Sequence, residues 1–329
     1  MANITGTNFA DLIAVGSPVN GEVPTTGSDT ISGLKGNDVI FGWLGQDVIG
    51  GDQGNDTIYG DSRDPATIDG DTNHDGTTGE NDTLSGGGGS DTVYGEDDND
   101  TVFGNAGNDY LFGGINDDLV RGGANHDRAY GDDGDDDVRG EAGNDSLFGG
   151  EDDDEVSGGA GNDTAAGGDD DDHVSGGLGN DRLYGDGIGL SGEDGSDVIN
   201  GGLGNDIMRG DSGSVVPLVN LGIDIFEWTE TSSTYERDRI DDFNTLPTVI
   251  DGILGIDHID LSAILTLDDV DNGDLQITTN VGGNPGRTWI DVDTGGTNAY
   301  DLRIDVFSNR GTDWTVGFQY DPTAEIWIG

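Results

Sequence analysis

The chain contains 329 residues and carries a formal net charge of −56, because 68 acidic residues stand against 12 lysines and arginines. A surface this acidic repels phosphate, so nucleic acid is excluded as a natural partner. The absence of cysteine excludes a disulfide scaffold, and no apolar run approaches the roughly 20 residues that a membrane helix needs. With 62 glycines and only 31% hydrophobic residues, the chain either stays disordered or folds when cations neutralise its carboxylates.

The N-terminal segment, residues 1–26, is predicted to be a lead-in with one degenerate copy of a repeat around Asp11. It has no basic n-region and no apolar h-region, so we expect no cleavable N-terminal signal peptide. If the protein is exported, its export signal is expected elsewhere in the chain.

Residues 27–210 contain an internal repeat of nine residues, marked by one aspartate per copy. Two insertions interrupt the period, one near residues 60–79 and one near 185–194. The repeated aspartates are Asp29, Asp38, Asp47, Asp56, Asp82, Asp91, Asp100, Asp109, Asp118, Asp127, Asp136, Asp145, Asp154, Asp163, Asp172, Asp181, Asp197 and Asp206.

Each copy approximates G-G-x-G-N-D-x-U-x, where U is aliphatic; residues 158–166 and 176–184 are good examples. The glycine-rich half supplies positive φ angles, and the x-U-x half is a very short strand with U on one face. Two copies close one coil of 18 residues, so stacked coils form two parallel sheets around a thin aliphatic seam. Where the fourth position is not glycine, residues tolerant of the left-handed region replace it: Asp98, Asn116, Asn125, Asp152 and Asp170.

The aspartates are predicted metal ligands. Stacking places them in rows with a spacing of about 5 Å, where like charges repel without a counter-ion. Ca²⁺ takes six to eight oxygen ligands at about 2.3–2.6 Å, and two successive loops offer two carboxylates plus backbone carbonyls. Sulfur is absent from the loops and imidazole is rare, which favours Ca²⁺ over Zn²⁺ or Cu²⁺.

The nonapeptide resembles that of the RTX, or hemolysin-type calcium-binding repeat, family, over about residues 25–210. The resemblance implies an all-β fold with a parallel β-roll and multiple bound Ca²⁺ ions. It also implies that a type I secretion apparatus exports the unfolded chain, which folds in extracellular calcium. The predicted localisation is therefore secreted, extracellular or at the cell surface.

The period stops in residues 211–329, which are predicted to be a small antiparallel β cap and type I export region. Residues 238–264 resemble the segment after the roll in serralysin-type proteases, and residues 325–329 resemble the family's terminal export motif with an extra glycine. Alternating runs at 275–278, 288–293, 301–307 and 314–320 are predicted to be antiparallel strands.

The first insertion contains a second candidate metal loop. Asp71, Asn73, Asp75, Gly76 and Asp82 match the calcium-loop pattern D-x-[DN]-x-[DN]-G-x₅-E with aspartate at the last position. No helix is predicted on either side, so an EF-hand pair is not expected. The alternative is an acidic loop without a metal.

A stripe of aromatic residues occupies the ninth position of alternate copies. Tyr94, Phe112, Tyr130, Phe148 and Tyr184 are separated by multiples of 18 residues, with Ala166 in the gap. The stacked coil places them on one outer sheet face. They either shield the sheet as a cross-strand ladder or form a docking strip for a glycan or for self-association with a second roll.

Catalytic motifs of proteins with such repeats are missing. Neither the zinc-protease pattern H-E-x-x-H nor the serine elbow G-x-S-x-G occurs, so we predict that the protein is not an enzyme. The predicted function is calcium binding coupled to folding outside the cell, with a structural or interaction role. The alternatives are a NodO-like membrane-perturbing secreted RTX protein and a polysaccharide-binding accessory module.

Overall fold

The computed structural model describes residues 2–7, 9, 11–13, 24–25, 27–61, 81–187 and 195–210, and after residue 210 only the backbone of ten strands. The chain divides into two compact units, Met1–Val156 and Ser157–Gly329. No helix occurs among the described residues, so this part of the chain has no helix that could span a membrane. The all-β prediction is confirmed.

The first unit consists of short strands that follow the nonapeptide. Its strands are β1 (Asn3–Thr5), β2 (Leu12–Ile13), β3 (Thr30–Ser32), β4 (Val39–Trp43), β5 (Val48–Gln53), β6 (Thr57–Asp61), β7 (Thr83–Gly88), β8 (Thr92–Asp97), β9 (Thr101–Ala106), β10 (Tyr110–Ile115), β11 (Leu119–Ala124), β12 (Arg128–Asp133), β13 (Asp137–Ala142) and β14 (Ser146–Glu151). Strand β15 (Glu155–Ala160) begins in the first unit and ends in the second.

These strands alternate between two parallel sheets, one formed by β1-β3-β5-β7-β9-β11-β13 and the other by β2-β4-β6-β8-β10-β12-β14. Equivalent residues of successive coils pair directly, as Phe112 does with Tyr130. The first unit is therefore a parallel β-solenoid with two repeats per coil, as the period predicts. The β5–β7 pair spans the first insertion in the same alignment, because Ile49 pairs with Leu84.

The core is a single aliphatic seam between the two sheets. One side chain per repeat is buried there, and its neighbours in the strand face outward. The seam of the first unit consists of Ile4, Ile13, Ile31, Ile40, Ile49, Ile58, Leu84, Val93, Val102, Leu111, Val120, Ala129, Val138, Leu147 and Val156.

The strands are longer than the three residues that the sequence predicts. Most strands of the first unit have six residues, as in Thr101–Ala106, and therefore include the first three positions of the next repeat. The reason is that backbone groups in the glycine-rich half also pair between coils; the amide of Gly107 donates to the carbonyl of Ala124 at 3.1 Å. The turn itself is limited to positions four to six.

In the second unit, parallel pairing gives way to antiparallel pairing. Its strands are β16 (Thr164–Gly168), β17 (His173–Leu178), β18 (Arg182–Asp186), β19 (Val198–Leu203), β20 (Ile207–Arg209), β21 (Ile225–Glu227), β22 (Glu236–Ile240), β23 (Thr248–Ile250), β24 (Ile253–Gly255), β25 (His258–Asp260), β26 (Leu275–Thr279), β27 (Arg287–Val292), β28 (Leu302–Phe307), β29 (Phe318–Asp321) and β30 (Glu325–Ile328).

Parallel pairing runs through β17-β19-β21-β25 in one sheet and β16-β18-β20-β22-β28 in the other, past residue 210. The pairs β26–β27, β27–β28, β25–β30, β29–β30 and β23–β24 are antiparallel. Strands at the predicted runs 275–278, 288–293 and 301–307 are confirmed. Of the fourth run, 314–320, only the last three residues lie in a described strand. That these strands act as a cap stays a prediction.

Candidate calcium-binding loops

The repeated aspartates line the two edges of the solenoid, where the chain turns from one sheet to the other. In the first unit, the first edge comprises the loops that end at Asp11, Asp38, Asp56, Asp91, Asp109, Asp127 and Asp145. The second edge comprises the loops that end at Asp29, Asp47, Asp82, Asp100, Asp118, Asp136 and Asp154. From Asp29 to Asp206, each of the 18 predicted aspartates is buried, with at most 4% of its surface exposed.

One oxygen of each carboxylate joins adjacent coils. The backbone amide of Asp109 donates to Oδ1 of Asp127 at 2.9 Å, and the amide of Asp127 donates to Oδ1 of Asp145 at 2.8 Å. The same bond recurs along both edges of the first unit and within the second unit, at 2.6–3.0 Å. The aspartate therefore has a structural role that its sequence position alone did not reveal.

In many of these carboxylates the other oxygen, Oδ2, is buried without a hydrogen-bond donor among the described residues. The carboxylates in which Oδ2 has no hydrogen-bond partner among the described residues include Asp38, Asp47, Asp56, Asp91, Asp100, Asp109, Asp118, Asp127, Asp136 and Asp181. An ionised oxygen is expensive to bury unless it is paired or coordinates a metal. The arrangement therefore requires protons or cations at these positions.

A space that excludes side chains lies beside Oδ2 in loops that begin with glycine. A Cβ atom added at Gly104 would lie 2.6 Å from Oδ2 of Asp109 and 2.6 Å from the carbonyl oxygen of Gly122, one coil further on. Gly158 has the same relation to Asp163 and Gly176, again at 2.6 Å to each oxygen. The first glycine of the repeat therefore keeps open a place where a carboxylate and a backbone carbonyl converge.

The oxygen donors of this space fit calcium. Among the described residues, no cluster of three or more acidic or histidine side chains could hold an ion by itself. Any site must therefore combine aspartate oxygens with backbone carbonyls, which are ligands that Ca²⁺ accepts. The residues that would hold it are the repeated aspartates and the glycines of the adjacent coil, and the ion would neutralise buried negative charge.

Burial raises the pKa of the row carboxyls above their ordinary value of 3.8, and neighbouring carboxylates add to that effect. On the first edge, the pKa of Asp91, Asp109 and Asp127 rises to about 6. On the second edge, the pKa of Asp118 rises to about 9 and that of Asp154 to about 8. The amide donated from the adjacent coil acts in the opposite direction but does not cancel the burial.

Asp29 differs from the other predicted ligands. Burial tends to raise its pKa, but the amides of Thr25 and Ala2 donate to the carboxylate and the net pKa is lowered. The amide of Thr25 lies 2.6 Å from Oδ2, which is the oxygen left without a donor in Asp109 and Asp127. Asp11 has the same bond from the amide of Thr7, also at 2.6 Å. The nine-residue period did not reveal this difference.

The predicted calcium loop of the first insertion is only partly covered by the described residues. Asp71, Asn73 and Asp75 lie outside the described residues. Asp82, the last residue of that pattern, belongs to the second edge, where its amide donates to Oδ1 of Asp100 at 2.7 Å. The extra calcium loop stays a prediction.

The aromatic stripe forms a continuous stack that is longer than predicted in the first unit. We call Phe41, Tyr59, Tyr94, Phe112, Tyr130 and Phe148 the aromatic ridge. Neighbouring ring centroids are 4.7–5.0 Å apart and the ring planes differ by 3–12°. The inner rings cover each other's faces, so a sugar could not stack on the face of an inner ring.

In the second unit, Ala166 and Tyr184 occupy the predicted positions and pair directly across neighbouring strands. Their position confirms the predicted spacing. Whether the ridge docks a glycan or a second copy stays a prediction.

Comparison with protein families identifies the repeat. The family model for the RTX calcium-binding nonapeptide repeat matches residues 24–58, 77–111, 94–129, 130–165, 157–187 and 190–215. These segments together cover just over half of the chain and include all 18 repeated aspartates from Asp29 to Asp206. Comparison with curated proteins gave no match.

Proposed function

The chain belongs to the family of RTX calcium-binding nonapeptide repeats, whose members bind calcium ions, and from this premise we propose that it is a secreted protein that folds when it binds calcium. Outside the cell it has a structural role or binds a partner, and it does not act as an enzyme. The observation that carries the proposal is the row of buried Oδ2 atoms, such as those of Asp109 and Asp127, that have no hydrogen-bond partner among the described residues.

The energetics of the chain support calcium-coupled folding. A formal charge of −56 makes the metal-free chain self-repelling. Each repeat contributes one aliphatic side chain to the seam, which offsets little of the backbone entropy of nine residues. Two unit charges about 4 Å apart repel by about 1 kcal/mol even in water, and by more in a buried row. Cations that bind only the folded state supply the missing stability by mass action.

The residues of each loop have separate roles in this scheme. Oδ1 of the aspartate orders the adjacent coil through its amide, while Oδ2 and the carbonyl of the next first-position glycine are the candidate ligands. The first glycine leaves space between these oxygens because it has no Cβ. Mutation of either the aspartate or that glycine is therefore expected to affect binding and folding together.

Secretion is consistent with the coupling of folding to calcium binding, because RTX repeats are typical of secreted proteins. The cytosol holds about 10⁻⁷ M free calcium, well below the 10⁻⁴–10⁻³ M range of extracellular calcium modules. The chain would therefore remain unfolded during passage through a type I apparatus and fold outside. Residues 211–329, with their serralysin-like segment, are the proposed export region. Co-expression with a type I exporter, with and without this region, tests that part.

A calcium titration followed by far-UV circular dichroism tests the proposal. The purified full chain should lack β signal in excess EGTA and gain it cooperatively near roughly 10⁻⁴–10⁻³ M Ca²⁺. Mg²⁺ is the matched control, since it demands near-ideal octahedral geometry and should not fold the chain at the same concentrations. A full β spectrum in excess EGTA at neutral pH would overturn the proposal.

A further inference from the structure

The first described loop on each edge has a bonding pattern of its own. In both loops a threonine precedes the aspartate by four residues, as Thr7 precedes Asp11 and Thr25 precedes Asp29. Each threonine amide donates to Oδ2 of its aspartate at 2.6 Å. Each threonine hydroxyl also lies within hydrogen-bonding distance of Oδ1, at 3.2 Å for Thr7 and 3.0 Å for Thr25, and of the backbone carbonyl two residues further on.

The backbone conformation of the second position explains why its amide reaches the carboxylate in these two loops. Threonine occupies the second position of the repeat, which in the fully described interior loops of the first unit has a positive φ, for example 89° in Glu96, 74° in Asn105 and 109° in Gly123. Neither Thr7 nor Thr25 has a positive φ, and β-branched residues rarely adopt one. The residue type therefore selects a loop conformation in which the amide of the second position is directed at Oδ2.

The second of these loops carries a further obstruction. Its first position is Pro24, which is buried, whereas the other described loops have glycine there. In the loop of Asp109, a Cβ at the first position would fall 2.6 Å from both converging oxygens. Proline supplies such an atom, so the space that a cation would use is filled.

We propose that threonine at the second position of the repeat determines which loops take up calcium. Thr7 and Thr25 close the first loop of each edge with protein hydrogen bonds, so the metal rows begin at Asp38 on one edge and Asp47 on the other. The physical reason is that an amide hydrogen directed at Oδ2 supplies the positive partner that the carboxylate lacks elsewhere, and it repels a cation approaching that oxygen. This inference rests on the proposed function and specifies its sites.

Sequence alone did not separate these loops, because Asp29 is in perfect register with the rest. The discriminating residue is the one four positions earlier. The same spacing occurs at Thr78 and Asp82, although Thr78 lies outside the described residues.

The number of calcium ions bound per full-length chain tests the inference. It can be measured by equilibrium dialysis with ⁴⁵Ca²⁺ at saturation, after circular dichroism has shown that each variant is folded. Thr7→Gly should bind one ion more than the wild type, and Pro24→Gly/Thr25→Gly should likewise gain one. An unchanged number of ions in both folded variants would overturn the inference.

The reverse substitution provides a matched pair in the interior. Asn105 occupies the second position of the loop of Asp109 and already carries a Cβ. Asn105→Thr should bind one ion fewer than the wild type, while Asn105→Ala, which also removes the amide side chain, should bind the same number. Equal numbers in the two variants would contradict a role for threonine.

A further variant keeps the inference testable if the glycine variants do not fold. Asp29→Asn should leave the number of bound ions unchanged, and the loss of an ion would overturn the inference. Failure of the proposed function has a different signature, because the wild type itself would then bind no calcium or would fold in EGTA.

Discussion

The two edges of the first unit carry the same aspartate row in different electrostatic surroundings. On the first edge, the loops around Asp109 and Asp127 contain glycine, alanine, asparagine and histidine besides the row. On the second edge between residues 95 and 154, the loops add ten further carboxylates: Glu96, Asp97, Asp98, Asp117, Asp132, Asp133, Asp135, Glu151, Asp152 and Asp153.

The pKa values show what this difference does to identical ligands. Burial is the main cause of the raised pKa on both edges, but the pKa of Asp109 and Asp127 reaches only about 6. The pKa of Asp118 reaches about 9, with Asp100, Asp136 and Asp117 as neighbouring charges. The same ligand geometry therefore does not give equivalent sites, because deeper burial and a larger number of neighbouring carboxylates raise the pKa further on the second edge.

The largest effect that we predict from this comparison is a pH dependence of folding without calcium. Because the pKa of the row carboxyls is higher in the folded chain than the ordinary 3.8, the protonated folded form is favoured. The resulting stability is fully present below about pH 4. It is lost as the pH rises through about 6 on the first edge and through about 6–9 on the second.

Far-UV circular dichroism between pH 3.5 and 9 in calcium-depleted buffer would measure this dependence. Buffer depleted on a chelating resin is preferable to EGTA, which binds calcium weakly in acid. We expect β signal to increase on acidification, which is the reverse of ordinary acid denaturation. A β signal that falls on acidification would show that the raised pKa values do not govern folding.

A smaller effect should distinguish the two edges by one matched pair of substitutions. Asp118→Asn and Asp109→Asn each remove the charge but retain an oxygen for the amide of the adjacent coil. Without calcium, Asp118→Asn should raise the pH midpoint of unfolding more than Asp109→Asn does, since the Asp118 carboxylate is the costlier one to ionise. One pKa unit corresponds to about 1.4 kcal/mol, so the difference should exceed about 1 kcal/mol.

With saturating calcium, both variants should instead be destabilised because each lacks a ligand oxygen. Opposite signs in the two buffers are the specific expectation. Equal midpoints for the two variants without calcium would show that the acidic loops of the second edge are fully screened by solvent.

The smallest predicted effect concerns the aromatic ridge and serves as an uncharged control. Tyr130→Thr/Phe148→Thr removes two neighbouring rings from the sheet that leads into the second edge. We expect a loss of roughly 0.2–1 kcal/mol per ring pair, measured by thermal unfolding at saturating calcium. The loss should be the same in low and high salt, because packing is not screened.

Light scattering and a glycan pull-down on the same variant address the docking alternative. A variant that is as stable as the wild type but loses self-association or glycan binding would show that the ridge serves a partner instead.

Much of the fold could be predicted because nine-residue periodicity records both the seam and the turns. Asp98, Asn125 and Asp152 were expected in the left-handed region at the fourth position, and their φ values of 74–86° confirm it. The second position could not be predicted in the same way. Leu34 and Trp43 are not residues that favour positive φ, yet they have φ values of 75° and 92°, which the stacked coils impose.

The candidate site was predicted less completely than the fold. Periodicity identified the row that includes Asp109 and Asp127, but it treated both carboxylate oxygens as equivalent. In the folded chain, Oδ1 belongs to the hydrogen-bond ladder and Oδ2 to the candidate metal position. The proposed exclusion of Asp29 from the metal row depends on Thr25, whose position varies between copies and is therefore not found by a search for repeated aspartates.

The ladder of hydrogen bonds to aspartate Oδ1 also determines where residues can be inserted into the sequence. The amide of Asp109 reaches Asp127 across 18 residues, while the amide of Asp47 reaches Asp82 across 35, and the bond lengths are 2.9 and 2.6 Å. The bond between neighbouring coils therefore forms whether 18 or 35 residues separate the two aspartates. A foreign epitope or binding loop could therefore be inserted between two such aspartates without changing the register of the coils on either side.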